Sequence, residues 1–326
     1  MKAAVIGAAG YVGGELLRLA LGHAEIEVAQ ATSRKHAGRP LGHVHPNLGH
    51  HGAIVFTKPE ELEPVDVAFV CLPHGEFARI HERVHQAARI VVDLSTDFRD
   101  PEQAAEHGYR TGLPELFRAE LAGATRISVP GCMATAAAVA LKPLVDAGLV
   151  DGDVIVDART GSSGAGTALS EATHHPVRHH AMRIYQAAGH RHEREIDRLC
   201  GARTRMTVTA VPLVRGVQVV LHVRPPSPVS RADVWDAYRA SYPAEPFVRL
   251  VARRAGLHRL PDPQFLSGGN FLDLGFDLDR DGGRIVAVAA LDNLVKGAAG
   301  GAVQSLNVAV GLAERTGLEF PGLSPA

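Results

Sequence analysis

The spacing of apolar residues predicts strands that alternate with helices through the first 130 residues of the chain. Short, mainly apolar runs, typical of parallel strands, occur at residues 3–6, 27–32, 65–72 and 89–94. Between the first two runs, residues 15–21 carry apolar side chains at helical spacing. Strands and helices in this alternation specify a doubly wound parallel sheet, so the sequence predicts an α/β domain of the Rossmann type.

The second half of the chain predicts a domain of a different kind. Long strands of an antiparallel sheet are expected at residues 206–212, 216–223, 273–276 and 284–290. An amphipathic helix is predicted over residues 231–242, with Ser230 available as its N-cap. We therefore expect a doubly wound α/β domain over residues 1–130, joined by a C-terminal helix over 297–326, and a second domain of the α+β class over residues 131–296.

The composition is typical of a soluble globular protein of about two domains. The 326 residues are 46% hydrophobic and 21% charged, and a formal net charge of −1 indicates neither a nucleic-acid nor a membrane partner. No apolar run reaches the roughly 18–20 residues of a membrane helix, and the chain enters its first strand without a signal peptide. Cys71, Cys132 and Cys200 lack the spacing of a metal site or a disulfide framework. A cytoplasmic enzyme without a bound metal is the resulting expectation.

A glycine-rich turn joins the first predicted strand to the first predicted helix. Its glycines recur at intervals of three, as G-x-x-G-x-x-G, and not as the G-x-G-x-x-G of many dinucleotide sites. A strand, a glycine turn and a helix N-terminus in this order allow backbone N–H groups to receive a pyrophosphate. The predicted cofactor-binding residues of the turn are Gly7, Ala9, Gly10, Tyr11, Val12 and Gly13.

The end of the second predicted strand indicates which nucleotide binds. Ser33, Arg34 and Lys35 follow this strand, at the place where an acidic residue would hold the ribose hydroxyls of NAD. A hydroxyl and two cations can instead hold the 2′-phosphate of NADP, and we assign that contact to Arg34. The alternative is a solvated loop with ordinary charges, but in a nucleotide fold the sequence favours NADP(H).

Cys132 stands where a strand ends and a helix begins. Pro130 and Gly131 end the strand, and a run of alanines and valines opens a helix from about Met133. The positive end of that helix favours thiolate over thiol. Cys132 is therefore predicted to be a nucleophile, and the alternative is a small buried hydrophobic side chain.

A loop rich in glycine and hydroxyls, residues 160–166, precedes a segment crowded with histidine and arginine, residues 174–195. The loop contains Ser163 and can approach a phosphate or an oxyanion with its backbone N–H groups. The crowded segment lacks the cysteine pairs and the H-E-x-x-H pattern of zinc sites. Its cations suit an acidic substrate or an acidic partner, and the alternative is a merely solvated charged surface.

Five motifs of the chain point to one family. They are residues 7–11 (GAAGY), 130–136 (PGCMATA), 164–166 (GAG), 189–192 (GHRH) and 292–297 (DNLVKG). Together they resemble the N-acetyl-γ-glutamyl-phosphate reductase family, relatives of aspartate-semialdehyde dehydrogenase. The resemblance covers nearly the whole chain and implies an aspartate-semialdehyde-dehydrogenase-like fold, with residues 131–296 serving also for assembly into a dimer or tetramer.

Three further stretches resemble the lysine-biosynthesis branch of that family. They are residues 174–178 (HHPVR), 183–185 (RIY) and 258–265 (HRLPDPQF). In that branch the substrate is an aminoadipyl phosphate held on an acidic amino-group carrier protein, which gives the cationic segment a partner. The alternatives are the N-acetyl-γ-glutamyl-phosphate reductase of arginine biosynthesis and an enzyme that serves both pathways.

The resemblance also implies roles for individual residues. Cys132 attacks the acyl phosphate and forms a thioester, which is reduced with NADPH to the semialdehyde. His190 and His192 are the candidates for proton transfer, and we assign that role to His190 and a substrate contact to His192. Asn293 is expected near the cofactor. The expected substrate-binding residues are Ser163, Arg178 and Arg183.

Overall fold

The computed structural model describes residues 1–251 and 253–323. Its strands are β1 (Lys2–Ile6), β2 (Glu27–Thr32), β3 (Phe56–Thr57), β4 (Val65–Val70), β5 (Ala88–Asp93), β6 (Arg110–Thr111), β7 (Arg126–Ser128), β8 (Val154–Thr160), β9 (Arg183–Gln186), β10 (Thr204–Ala210), β11 (Val217–Val223), β12 (Val248–Leu250), β13 (Leu272–Leu278) and β14 (Ile285–Leu291). Its α-helices are α1 (Tyr11–Leu21), α2 (His81–Ala87), α3 (Pro101–Glu106), α4 (Pro114–Leu121), α5 (Cys132–Asp146), α6 (His175–Arg178), α7 (His192–Cys200), α8 (Arg231–Ser241) and α9 (Gly300–Ala309). The chain forms two compact units, Met1–Pro130 with Ala298–Glu319, and Gly131–Gly297 with residues 320–323.

The first unit contains a seven-stranded sheet in the order β3-β2-β1-β4-β5-β7-β6. Neighbouring strands in it run parallel. Ala4, Val5 and Phe69 in its central strands are completely buried, as expected for parallel strands covered on both faces. The predicted Rossmann-type α/β sheet is confirmed. Because parallel strands end at one edge, the glycine turn after β1 and Ser33 after β2 lie at the same edge of the sheet.

The second unit contains a mixed seven-stranded sheet in the order β12-β13-β14-β11-β8-β10-β9. The predicted antiparallel pairing is confirmed for β11 with β14 and for β13 with β14. Strand β10 pairs antiparallel with β9 but parallel with β8, and only this second pairing departs from the prediction. The chain runs back through β9 between β8 and β10, so β10 starts from the same end of the sheet as β8. Alternate residues of β11, such as Val219 and Leu221, are buried. Helix α5 packs against β11 and β14.

The C-terminal helix is shorter than the predicted range of 297–326. A π-helix over Val295–Ala299 leads into α9, which ends at Ala309. Gly311 follows with φ of +74°, a left-handed conformation that commonly terminates helices because glycine adopts it without strain. The chain beyond Glu319 groups with the second unit, and residues 324–326 of the predicted helix lie outside the described residues.

Helix α8 confirms the predicted amphipathic helix, and the hydroxyl of Ser230 accepts the backbone N–H of Asp233 at 3.3 Å as its N-cap. Cys71, Cys132 and Cys200 are present as thiols. Among the residues that the structure describes, no helix combines the length and the apolar character needed to cross a bilayer.

Candidate active site

The glycine turn of the first unit has a backbone that side chains would disturb. Gly7 has a φ of +80°, and a Cβ atom there would lie 2.6 Å from the carbonyl oxygen of Cys71. A Cβ atom on Gly13 would lie 2.6 Å from the carbonyl oxygen of Gly7. Gly10 is the N-cap of α1 and has no side chain with which to cap the first N–H groups. An uncapped helix N-terminus behind a tight glycine turn fits the pyrophosphate of a dinucleotide.

Sequence reasoning missed a histidine that supports this turn. The Nε2 atom of His45 lies 2.8 Å from the carbonyl oxygen of Ala8, within hydrogen-bond distance. The ring also lies over Gly14, where a Cβ atom would approach it to 2.5 Å. His45 therefore holds the turn and the start of α1 together. Because His45 is far from the turn in the sequence, no motif connected it with the turn.

The three residues after β2 lie in different environments. Ser33 is buried, and its hydroxyl accepts the backbone N–H of His36 at 3.3 Å. Lys35 is exposed. Arg34 is exposed as well, but its Nε and Nη2 atoms both donate to Oε1 of Glu60, at 3.1 and 2.9 Å. The sequence did not indicate this acidic partner for Arg34.

Cys132 is the first residue of α5, as predicted to within one residue. The N-cap is Gly131, which has extended backbone angles and no capping side chain, so the thiol lies at the positive end of a 15-residue helix. Gly297 packs directly against it, since a Cβ atom on this glycine would lie 2.4 Å from Cβ of Cys132. The sequence motifs 130–136 and 292–297 therefore meet at the cysteine.

The residue before the cysteine makes two contacts with the first turn of α7. The backbone N–H of Gly131 donates to Oε1 of Glu195 at 2.7 Å. The ring of His192 lies over the same glycine, where a Cβ atom would approach its Nε2 atom to 2.2 Å. His192 is only 2% exposed, and its Nε2 atom lies 3.9 Å from Oε2 of Glu195. Glu195 is a site residue that the sequence analysis missed, although it follows the GHRH motif.

His190 is half-buried and differs from His192 in its contacts. Its Nδ1 atom accepts the backbone N–H of His192 at 3.2 Å, so the proton of the neutral ring resides on Nε2. The two imidazole rings lie edge to face with centroids 4.7 Å apart. Burial lowers the pKa of His190, and the charge of Arg191 adds to the effect. The neutral ring with Nε2 protonated is thus the favoured form.

Tyr185 belongs to the same surroundings and was not assigned a role from the sequence. Its ring lies edge to face with that of His190, with centroids 6.3 Å apart. Burial raises the pKa of Tyr185, and the proximity of Cys132 raises it further. The structure thus brings the cysteine, a neutral histidine and a neutral phenol together within the second unit.

Ser163 and Asn293 are hydrogen-bonded to each other, which the sequence did not suggest. The side-chain amide of Asn293 donates to the hydroxyl of Ser163 at 3.0 Å, and its Oδ1 atom accepts the N–H of Gly216 at 2.7 Å. Both side chains are buried. These two contacts fix the orientation of the amide.

The neighbouring Asp292 anchors this part of the chain and was also missed as a functional residue. Its wholly buried carboxylate accepts the backbone N–H groups of Leu294 at 2.8 Å and Gly268 at 2.6 Å. Arg215 pairs with it at 3.2 Å. Because a buried carboxylate with several donors is held rigidly, Asp292 fixes the backbone that carries Asn293.

The predicted substrate-binding arginines lie close to each other and bind backbone carbonyl groups. Arg178 donates to the carbonyl oxygen of Val211 at 2.5 Å, and Arg183 donates to that of Ala172 at 3.2 Å. Burial lowers the pKa of Arg178, and the charge of Arg183 lowers it further. Arg178 thus ties the cationic segment to the end of β10, whereas Arg183, the first residue of β9, holds the short 3-10 helix Glu171–Thr173 that precedes the segment.

Comparison with protein families matches both parts of the chain. The model of the semialdehyde dehydrogenase NAD-binding domain matches residues 2–124, and that of the semialdehyde dehydrogenase dimerisation domain matches residues 132–293. Among solved structures, aspartate semialdehyde dehydrogenase II of Vibrio cholerae aligns with a TM-score of 0.74 at 18% identity, over 94% of this chain and 97% of that one. The enzyme of Candida albicans aligns with a TM-score of 0.68 at 16% identity, over 94% and 97%. These structures establish the aspartate-semialdehyde-dehydrogenase-like fold.

Several relatives are similar along their full length. A protein of Thermomicrobium roseum, provisionally named LysW-L-2-aminoadipate 6-phosphate reductase, is 46% identical over 100% of this chain and 99% of its own. The LysW-L-2-aminoadipate 6-phosphate reductase of Deinococcus radiodurans is 44% identical over 99% and 97%. A protein of Natronomonas pharaonis, provisionally named for LysW-linked aminoadipate and LysW-linked glutamate phosphates, is 44% identical over 99% and 97%.

Proposed function

Because the chain belongs to the semialdehyde dehydrogenase family, we propose that it reduces an aminoadipyl phosphate, carried on an amino-group carrier protein, to the semialdehyde with release of phosphate. The reaction is NADPH-dependent and belongs to lysine biosynthesis by the aminoadipate pathway, in the cytoplasm. Relatives at 46% and 44% identity that bear the name of this reductase support the proposal. The observation that carries it is the thiol of Cys132 at the N-terminus of α5, packed against Gly297.

The first unit supplies the residues that would hold the cofactor. The turn from Gly7 through Gly10 presents the N-terminus of α1 to the pyrophosphate, where Tyr11 and Val12 contribute backbone N–H groups and Ala9 leaves room. Arg34, with Ser33 and Lys35 beside it, would hold the 2′-phosphate. When bound, NADPH supplies the hydride of the reduction.

Cys132 performs the covalent step. Its thiolate forms a bond from Sγ to the acyl carbon, the bond from that carbon to the phosphate oxygen breaks, and phosphate leaves with the electron pair. After reduction the C–S bond breaks, which releases the aldehyde and restores the thiolate. The helix dipole of α5 stabilises the negative sulfur at the start and the end of this sequence.

His190 acts on the oxygen of the reacting carbonyl group. With Nδ1 accepting the N–H of His192, Nε2 carries the proton and donates it as a hydrogen bond to the developing oxyanion. The lowered pKa of His190 keeps the ring neutral near pH 7. In contrast to our first assignment, we propose that the almost fully buried His192 positions Gly131 and does not contact the substrate.

The second unit would also bind the substrate and its carrier. Ser163, oriented by Asn293, offers a hydroxyl next to the glycine-rich loop. Arg178 and Arg183 hold the cationic segment in place, and its charge suits an acidic carrier surface. The match of residues 132–293 to a dimerisation domain supports a homo-oligomer, a dimer or a tetramer. We retain the proposal that Asn293 lies near the cofactor.

A second candidate function is an enzyme that also serves arginine biosynthesis. The relative of Natronomonas pharaonis named for both aminoadipate and glutamate substrates supports it. The aminoadipate and glutamate chains differ by one methylene group, and a binding pocket discriminates such a difference only about 10- to 200-fold. A reductase of free N-acetylglutamyl phosphate would instead have no carrier protein for the cationic segment to bind.

The reverse reaction tests these proposals. We would measure phosphate-dependent reduction of NADP with carrier-linked aminoadipate semialdehyde, carrier-linked glutamate semialdehyde and N-acetylglutamate semialdehyde. A kcat/KM highest for the first compound supports the lysine reductase, and comparable values for the two carrier-linked compounds support a dual enzyme. Highest kcat/KM for the acetylated compound would refute the carrier proposal. Cys132→Ser should abolish turnover with every substrate while NADPH still binds.

A further inference from the structure

The pair formed by Arg34 and Glu60 joins two strand ends of the first unit. Arg34 follows β2, and Glu60 lies in a short 3-10 helix, Pro59–Glu61, that follows β3. Strands β2 and β3 run parallel with Thr32 opposite Thr57, and the N–H of Ser33 donates to the carbonyl oxygen of Thr57 at 2.9 Å. The backbone therefore sets both side chains at the same edge of the sheet.

Each member of the pair has a chemistry that recognises one form of the ribose. A guanidinium binds a 2′-phosphate, whereas a carboxylate accepts a hydrogen bond from a free 2′-hydroxyl. In dinucleotide folds the carboxylate usually comes from the end of the second strand, where this chain has Ser33 and Arg34. Here the neighbouring strand brings an acidic group to the same place.

We propose that Glu60 is a specificity-determining residue, the counter-ion of Arg34 that weakens NADPH binding and gives NADH a partner for its 2′-hydroxyl. The proposal rests on the assignment of Arg34 to the 2′-phosphate made above. Both Nε and Nη2 of Arg34 are occupied by Glu60, so a phosphate must displace this carboxylate or bind beside it. A phosphate with nearly two negative charges close to Glu60 also experiences repulsion.

The pair is exposed, which allows it to exchange partners. The side chains of Arg34 and Glu60 are 67% and 48% accessible. Exposed ion pairs are weak and are screened by salt, so either partner can turn to a bound nucleotide at small cost. The hydrogen bond from Arg34 lowers the pKa of Glu60, and the charges of Arg34 and Arg83 lower it further, so the carboxylate is ionised near neutral pH.

The test is the affinity of the free enzyme for nucleotides, measured by calorimetry without substrate. We expect Glu60→Gln to bind NADPH about fivefold more tightly and NADH about threefold more weakly than the wild type, as the loss of one exposed charge implies. The fragment adenosine 2′,5′-bisphosphate should gain affinity in the same way, whereas ADP should not. Glu27→Gln is the matched control, because it removes an exposed carboxylate from the opposite end of β2.

The outcomes separate this inference from the assignment of Arg34. If Arg34→Ala abolishes the preference for NADPH while Glu60→Gln binds both nucleotides like the wild type, the role of Glu60 is overturned and the cofactor assignment stands. If Arg34→Ala leaves the preference for NADPH over NADH unchanged, both the assignment of Arg34 and the role of Glu60 are wrong. A gain in NADPH affinity for Glu27→Gln equal to that for Glu60→Gln would reduce the effect to net charge and would likewise overturn the proposal.

Discussion

The carboxylate of Glu195 accepts the backbone N–H of Gly131 at 2.7 Å, although 64 positions separate the two residues in the chain. His192, three residues earlier on α7, lies over the Cα atom of the same glycine. One turn of α7 therefore holds the residue that caps α5 and precedes Cys132. The start of α5, and with it the direction of the thiol, depends on these two contacts.

Replacing Gly131 with alanine should disturb the site, because the new methyl group would lie 2.2 Å from Nε2 of His192. We expect Gly131→Ala to destabilise the second unit by about 1–3 kcal/mol, the usual cost of overpacking, and to lower kcat/KM at least tenfold. Thermal unfolding and the alkylation rate of Cys132 measure the two effects. In the control Gly22→Ala, the nearest atoms lie 3.7 Å from the new Cβ. Equal behaviour of both variants would mean that this packing has no influence on the thiol.

Two substitutions of Glu195 separate its hydrogen bond from its charge. Glu195→Ala leaves the buried N–H of Gly131 without its acceptor, which should cost about 1–3 kcal/mol of stability. Glu195→Gln keeps an oxygen that can accept this N–H, so its stability should approach that of the wild type. We expect its kcat to fall nonetheless. A neutral amide attracts the ring of His192 less strongly than the carboxylate does, and this ring positions Gly131 before Cys132. Urea unfolding together with kcat for both variants checks this, and equal stability of the two variants would contradict the hydrogen-bond role.

The spacing of apolar residues and the residues that end helices and strands were sufficient to predict individual elements. Strand β2 has the predicted bounds, and α5 begins within one residue of its predicted start, because Pro130 and Gly131 end one element and alanines favour the next. The parallel pairing of β8 with β10 was missed, since the direction of a strand depends on the connection and on its partners.

The candidate site was predicted only as far as its motifs extend. Motif chemistry nominated Cys132 and His190 as candidate site residues, but it gave no role to Glu195, Glu60 or His45. Each of these three acts on a residue far away in sequence, and no spacing rule specifies which distant backbone a side chain will meet. Their contacts become visible only in the folded chain.

The stability of the first unit should fall in mild acid because of His85. Burial lowers its pKa from 6.5 to about 4, and Arg126, His81 and His107 add to this, while its Nε2 atom lies 2.9 Å from the hydroxyl of Tyr109. The unfolded chain binds more protons at this site between these pH values. The stability that neutral His85 provides is thus complete above pH 6.5 and is lost as the pH falls towards 4.

Allowing for solvent screening of the partly exposed ring, protonation of His85 should lower the free energy of unfolding by about 1–2 kcal/mol. His85→Gln retains a donor for Tyr109 but does not titrate. Its melting temperature should therefore fall less than that of the wild type between pH 7.5 and pH 5, while at pH 7.5 the two proteins should be similar. A parallel decline of both melting temperatures would assign the acid sensitivity to other groups.

The activity should depend on pH through the tautomer of His190. Protonation would place a hydrogen on Nδ1, which could then no longer accept the N–H of His192, so kcat should fall on the acid side as the ring becomes charged. Burial lowers the pKa of His190, and the fall should therefore begin below the usual 6.5. The kcat of His190→Gln should be about 10²- to 10⁴-fold lower than that of the wild type, with unchanged affinity for NADPH. The fall of kcat on the acid side of the pH profile should also disappear. The exposed His50→Gln serves as the control, and a wild-type pH profile in His190→Gln would exclude His190 from the proton chemistry.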